Sequence, residues 1–208
     1  MKPLNLEKIQ IKLRNKFLKA GVKILGPETI FFSKDTKIGK NVSIEPYVVL
    51  GPKVKIGNNV TIKSFSYLET CKIENKVEIG PYARIRPNTI LKEGSKIGNF
   101  VEVKKSTIGK KSKVNHLSYI GDTEIGKAAN VGAGTITCNY DGKTKHKTVI
   151  GNNVFIGSNC ALVAPIKIKN MAFIAAGSTI SNNVGDNDFS IARAKQKIVK
   201  KGRQKFFK

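Results

Sequence analysis

His116 and His146 are the only two histidines in the chain. Imidazole is the side chain that exchanges a proton near neutral pH, although a single histidine is more often structural than catalytic. His146 lies in the basic run Asp141-Gly142-Lys143-Thr144-Lys145-His146-Lys147. Such a run either grips an anion or is a solvated loop. Gly121-Asp122-Thr123-Glu124-Ile125-Gly126-Lys127 has the glycine-lysine spacing of a phosphate-binding loop, but Ala128 stands where magnesium needs Ser or Thr. Gly132-Ala133-Gly134 is too short to mark a phosphate cradle. The three cysteines, Cys71, Cys138 and Cys160, form neither a disulfide framework nor a zinc pattern. Cys160 falls on a small interior position, where packing is its default. Asn41-Val42-Ser43 and Asn59-Val60-Thr61 match a glycosylation pattern that has no meaning without export.

The elements that must position these groups repeat. An aliphatic residue recurs every six positions at Ile38, Ile44, Leu50, Ile56, Ile62 and Leu68. After a one-residue slip the series resumes at Ile73, Ile79, Ile85, Leu91, Ile97 and Val103. Further slips precede Ile108-Val114-Ile120 and Ile125-Val131, and the last run is Ile150, Ile156, Leu162, Ile168, Ile174, Ile180. Six is not 3.6, so a long amphipathic helix is excluded. It suits a short strand and a tight turn, with three such steps closing a triangular coil of the hexapeptide β-helix. The sequence predicts roughly eight coils over residues 38–185, with aliphatic ladders inside. Periodicity alone leaves the hand of the coil open.

The flanks differ. Leu6, Ile9, Leu13 and Phe17 share one helical face within residues 4–20, with Gly21 as a stop. Residues 1–37 are therefore read as a helical arm and lead-in. After Asp188 there are no acids, while Arg193, Lys195, Lys197, Lys200, Lys201, Arg203, Lys205 and Lys208 accumulate, so residues 186–208 are read as a basic tail, mobile at its end. The chain has 208 residues and a net charge of +24, from 38 Lys+Arg against 14 Asp+Glu. No stretch reaches the roughly 18 apolar residues of a membrane helix. No hydrophobic signal core opens the sequence, so a cytoplasmic setting is expected. The charge calls for anionic partners, either nucleic acid or phosphorylated metabolites. Aromatics make up only 7% and the basic residues are spread through the repeats, which argues against a nucleic-acid interface.

Longer matches narrow the reading. Gly80-Pro81-Tyr82-Ala83-Arg84-Ile85-Arg86-Pro87, Gly98-Asn99-Phe100-Val101-Glu102-Val103-Lys104-Lys105 and Asn115-His116-Leu117-Ser118-Tyr119-Ile120-Gly121-Asp122 stand in order before Asn130-Val131-Gly132-Ala133-Gly134-Thr135-Ile136-Thr137-Cys138-Asn139-Tyr140-Asp141-Gly142. Together they resemble the acetyltransferase half of the bacterial bifunctional UDP-N-acetylglucosamine pyrophosphorylase/glucosamine-1-phosphate N-acetyltransferases. The resemblance covers nearly the whole chain. It implies an all-β fold, a left-handed parallel β-helix of hexapeptide repeats with a short helical arm and a basic tail. That family's other half is a nucleotidyltransferase with a Gly-rich loop. Met1 opens directly onto the arm, so uridylyl transfer is not expected of this chain, whether it is stand-alone, a fragment or a separately encoded half.

The resemblance also implies roles. His116 matches the catalytic base, with Glu102 orienting it. Arg86, Lys104 and Lys145 match sugar-phosphate ligands, and Tyr119 and Asn130 match sugar contacts. Asn139 and Tyr140 match residues near the thioester, where the Asn139 amide would help hold an oxyanion. Ala133, Ser158, Ala176 and Arg193 match acetyl-coenzyme A contacts, Arg193 toward a coenzyme phosphate. The implied reaction is transfer of acetyl from acetyl-coenzyme A to the amine of glucosamine 1-phosphate, feeding UDP-N-acetylglucosamine and cell-envelope synthesis. It needs no metal; zinc carbonic anhydrases built on this repeat use three histidines. A homotrimer with sites between subunits is implied too. The alternatives are a hexapeptide acyltransferase for another amino sugar, a basic nucleic-acid-binding protein and an inactive structural partner.

Overall fold

The computed structural model describes residues 3–203. Lys205 and Lys208 of the expected tail lie outside the described residues. The strands are only two to four residues long, too short to persist in isolation. They gain their stability by stacking into three parallel sheets of ten, nine and eight strands, the faces of a triangular prism. The first face runs from Lys23–Ile24 to Phe189–Ser190, the second from Phe31–Phe32 to Thr179–Ile180, and the third from Lys37–Ile38 to Ile166–Ile168. The fold is a left-handed parallel β-helix, as the resemblance implies, against the right-handed rule for most parallel crossovers.

The repeat positions point inward. Ile44, Ile62, Ile79, Ile97 and Val114 stack in register up the first face, all almost fully buried. Each such side chain contributes about 1.5–3 kcal/mol by leaving water. The one-residue slips are shortened corners. Asn58 accepts from Lys40 across 18 residues, and Asn75 from Asn58 across 17. Between Lys127 and Asn152 the separation grows to 25, the excess being the basic loop around His146.

The coil begins before the repeat does. Lys23–Ile24 and Phe31–Phe32 form its first strands, and Phe189–Ser190 adds a rung above residue 185. The helix Pro3–Lys19 (α1) precedes them. It stops as Gly21 predicts: Gly21, at φ +81, donates its N–H to Leu18 O, and Val22 donates to Phe17 O, a pattern that satisfies terminal carbonyls. Its packed face differs from the apolar stripe. Leu13 and Phe17 pack, but Leu6 is exposed, and Gln10 and Arg14 are buried instead. The reason is that α1 covers the prism's lower end, where strand edges need polar partners. Gln10 both donates to Phe32 O and accepts from Phe32 N, as a further strand would. Arg14 donates Nε–H to Ile30 O at 3.0 Å and Nη2–H to Glu28 O at 2.9 Å. Arg14→Leu is expected to lower unfolding stability by about 1–3 kcal/mol, the usual cost of orphaned buried polar groups. A denaturant midpoint matching the parent would show that water replaces the guanidinium without loss.

Four aromatic residues, Tyr47, Phe65, Tyr82 and Phe100, hold the left-handed corner conformation between the first and second faces, with φ from 54° to 62°. That conformation costs an L-residue roughly 1–2 kcal/mol. Their rings stack at 4.9, 4.8 and 5.1 Å up the corner, which returns about 0.5–1.5 kcal/mol per pair. The rings remain exposed. The next rung of this corner is Leu117, beside His116.

Candidate active site

His116 ends the first-face strand Lys113–His116, where Val114 points inward. Its carbonyl accepts from Ser118 Oγ at 2.8 Å. Asn99 is its register partner one coil below, and Asn99 Oδ1 lies 2.7 Å from His116 Nδ1. An amide oxygen only accepts, so Nδ1 carries the proton and Nε2 is left as a proton acceptor in an exposed position. Glu102 does not supply this contact, contrary to expectation. Its carboxylate takes Arg86 Nη1 at 2.7 Å instead.

Above His116 the same corner is lined with small residues. Gly134 N donates to His116 O, Asn159 N to Ala133 O, Gly177 N to Ser158 O, and Arg193 Nη1 to Ala176 O at 2.8 Å. His116, Ala133, Ser158 and Ala176 therefore occupy successive rungs, about 4.8 Å apart. The aromatic corner gives way to Gly134, Asn159 and Gly177, at φ +73, +55 and +72. The result is a strip of small residues running up the prism from the imidazole.

The second group lies on and beyond the second face. Glu102 and Tyr119 are register neighbours there, and Lys104 pairs with Gly121. Gly121 is required. A Cβ at this position would lie 2.5 Å from the Tyr119 hydroxyl and 2.7 Å from Asn139 Nδ2. Lys104 and Lys145 meet across the loop, and Lys145 Nζ sits 5.6 Å from the Tyr140 ring centroid. The close approach of the Lys145 ammonium, through repulsion, holds the Lys104 ammonium below the ordinary lysine range. Arg86 is shifted up by its bond to Glu102, and its Nε is buried without a partner among the described residues. Three cations with one carboxylate leave a local charge of about +2 for a dianion.

The loop owes its shape to Asp141. Its carboxylate accepts from Lys143 N, Thr144 N and Thr144 Oγ1, and lies 2.6 Å from His146 Nε2. His146 is thus spent inside the loop, and its bond holds Asp141 well below the usual carboxylate range. Lys145 is the loop residue that reaches the site. Cys160 is buried in the core as expected, and burial pushes the Cys71 thiol up to about 12.

Asn130 stands apart. It lies on the outer surface of the first face between Lys113 and Phe155, around the corner from Tyr119. Asn99 was not singled out in the sequence, and Gly121 and Asp122 stood out only in the phosphate-loop spacing set aside above. Asn99 is findable by repeat arithmetic, one 17-residue coil before His116.

Comparison with known proteins is decisive for the family. The pattern described as bacterial transferase hexapeptide (six repeats) matches residues 35–70 and 147–182, and one described as GMPPB C-terminal domain matches residues 67–140. The chain is 54% identical over 187 residues to the bifunctional protein GlmU of Zymomonas mobilis, covering 90% of this chain and 42% of that one. With GlmU of Sphingopyxis alaskensis the identity is 54% over 189 residues, 91% of this chain and 42% of that one. The chain belongs to the hexapeptide-repeat acyltransferases. It spans less than half the length of these curated relatives. Among solved structures, the UDP-N-acetylglucosamine O-acyltransferase LpxA of Moraxella catarrhalis superimposes with a TM-score of 0.65 at 19% identity, over 76% of this chain and 66% of that one, which shows a shared fold. No helix among the described residues is long and apolar enough to cross a membrane.

Proposed function

We propose that this chain is a glucosamine-1-phosphate N-acetyltransferase using acetyl-coenzyme A. The observation that carries the proposal is His116, its Nε2 free to accept a proton, standing at the foot of a small-residue strip and one corner away from the Arg86–Lys104–Lys145 cluster. The pantetheine arm lies along Ala133, Ser158 and Ala176, with the remaining Arg193 donors toward a coenzyme phosphate. The phosphate of the sugar meets Arg86, Lys104 and Lys145, and Tyr119 contacts the ring. The amine attacks the thioester carbonyl while Nε2 of His116 takes its proton. The tetrahedral oxyanion is held by the Asn139 amide beside Tyr140. Its collapse breaks the C–S bond, and the departing thiolate takes the proton from the imidazolium. The product is N-acetylglucosamine 1-phosphate, a precursor for UDP-N-acetylglucosamine and the cell envelope.

A homotrimer completes the site in this proposal. Asn130 and the Tyr119 group face away from each other on one prism, while the exposed Tyr47–Phe100 stack and the row Phe155, Phe173 and Phe189 offer apolar surface for neighbouring copies. Coenzyme A thiol release with glucosamine 1-phosphate, against a panel of other amino sugars, tests the substrate. A clear preference for another amino sugar would overturn it. Mixing inactive His116→Ala and Asn130→Ala chains tests the shared site: partial activity should reappear on co-refolding, and no recovery would place each site within one copy.

A further inference from the structure

Asp122 is a buried carboxylate that the mechanism above does not use. It occupies the corner after the second face, at φ 49°, where a left-handed Asp is tolerated. Backbone bonds hold it from both sides: its N–H donates to Lys104 O and its carbonyl accepts from Thr148 N. Its side chain is held equally firmly. Oδ1 pairs with Lys105 Nζ at 3.1 Å, and Oδ2 accepts from Asn139 Nδ2 at 2.6 Å. A buried carboxylate needs such partners, and a charge-assisted bond of this length is a strong one.

The second of these contacts bears on chemistry. Asn139 Nδ2 sits over the outward side of Gly121, in the space left by the missing Cβ, next to the Tyr119 hydroxyl. An amide that is free to turn would present oxygen or nitrogen in either sense. With one N–H donated to Asp122, Asn139 cannot present its oxygen there, and the nitrogen stays fixed beside Tyr119. We propose that Asp122 is a positioning residue for acetyl transfer, locking the Asn139 amide as a donor and anchored in turn by Lys105. The proposal rests on the acetyltransferase reading and adds to it the group that fixes which end of Asn139 meets the substrate. Transition-state donors act through such pre-alignment, which spares reorganisation during the reaction.

The test is a double-mutant cycle on the full chain, with Asp122→Ala, Asn139→Ala, the double variant and Asp122→Asn. Asp122→Ala should lower kcat about 10–100-fold, with KM for both substrates within about threefold of the parent, since ground-state binding does not use the aligned amide. Adding Asn139→Ala to Asp122→Ala should cost little more, because the two act as one unit. Asp122→Asn retains an oxygen that can accept from Asn139 and should recover at least about fivefold over Asp122→Ala. Thermal melting and coenzyme affinity are followed for every variant, and a fold defect would raise both KM values and lower the melting point together. If the parent transfers acetyl to glucosamine 1-phosphate but the two substitutions multiply independently, or Asp122→Asn is no better than Asp122→Ala, the positioning role is wrong. A parent inactive on that sugar overturns the acetyltransferase reading itself, and this role with it.

Discussion

Replacing His116 with Ala is expected to reduce turnover by about 10²–10⁴-fold, the usual worth of a positioned general base. The side chain is exposed and takes no part in the aliphatic ladders, so the prism should fold and melt as the parent does. Coenzyme affinity should also persist, because the strip of Ala133, Ser158 and Ala176 lies above the imidazole. His146→Ala is the paired control. That imidazole is tied to Asp141 and Thr144, so its loss loosens the loop that carries Lys145 and should raise KM for the sugar phosphate without a comparable loss of kcat. Steady-state rates for both variants, with melting curves alongside, decide the matter. A near-parental kcat in His116→Ala together with a dead His146→Ala would move the proton transfer from the prism corner to the loop.

Lys145→Ala should have the second-largest effect, a rise of about 10–100-fold in KM for glucosamine 1-phosphate with kcat little changed, as expected for one lost charge-assisted phosphate contact. It also carries a pH signature. Lys145 holds the Lys104 ammonium below its ordinary range, so in the parent Lys104 loses its charge earlier as the medium turns alkaline. The falling alkaline limb of kcat/KM, which reports the free enzyme, should therefore begin below the ordinary lysine range. Removing Lys145 removes the repulsion, so that limb should move to higher pH even as affinity drops. An alkaline limb that stays put in Lys145→Ala would mean that Lys104 is not the group being titrated.

The prism was legible because its interior repeats in sequence. Ile62, Ile79 and Ile97 are buried neighbours in register, and each one-residue slip in their spacing is a corner one residue shorter. The first coil was hidden because the Pro27–Thr29 turn lengthens it: Ile24 pairs with Ile44, 44 − 24 = 20 positions on, where Ile44 to Ile62 is 18. The helical face was misread because apolar spacing presumes an apolar surface beneath, whereas α1 covers strand ends that want amides and guanidinium, hence Gln10 and Arg14. At the site, the motifs name His116, Lys104 and Lys145 but not their contacts. The Asn99–His116 pair and the Glu102–Arg86 bond both exist only once the coil is wound. Asp122 carried no signal of its own, since a lone acid in a turn is ordinary.

Among the described residues, the lower end of the prism is tied by buried side chains and the upper end by exposed ones. Buried Gln10 and Arg14 tie α1 to the first strands, whereas above the last rung the exposed segment after Ser190 bonds back through Ala192 N to Ser178 Oγ and through Arg193 to Ala176 O. In a stack where each coil bonds only to its neighbours, loss of order travels rung by rung from the weaker terminus. Melting should therefore proceed downward, visible as amide exchange that slows from the Phe173 rung toward the Ile44 rung. Ser158 and Ala176 belong to the coils that let go first, and His116 to one that holds longer. Warming would thus loosen the small-residue rungs before it disturbs His116, and a ligand lying along them, as proposed for coenzyme A, would hold the upper coils together.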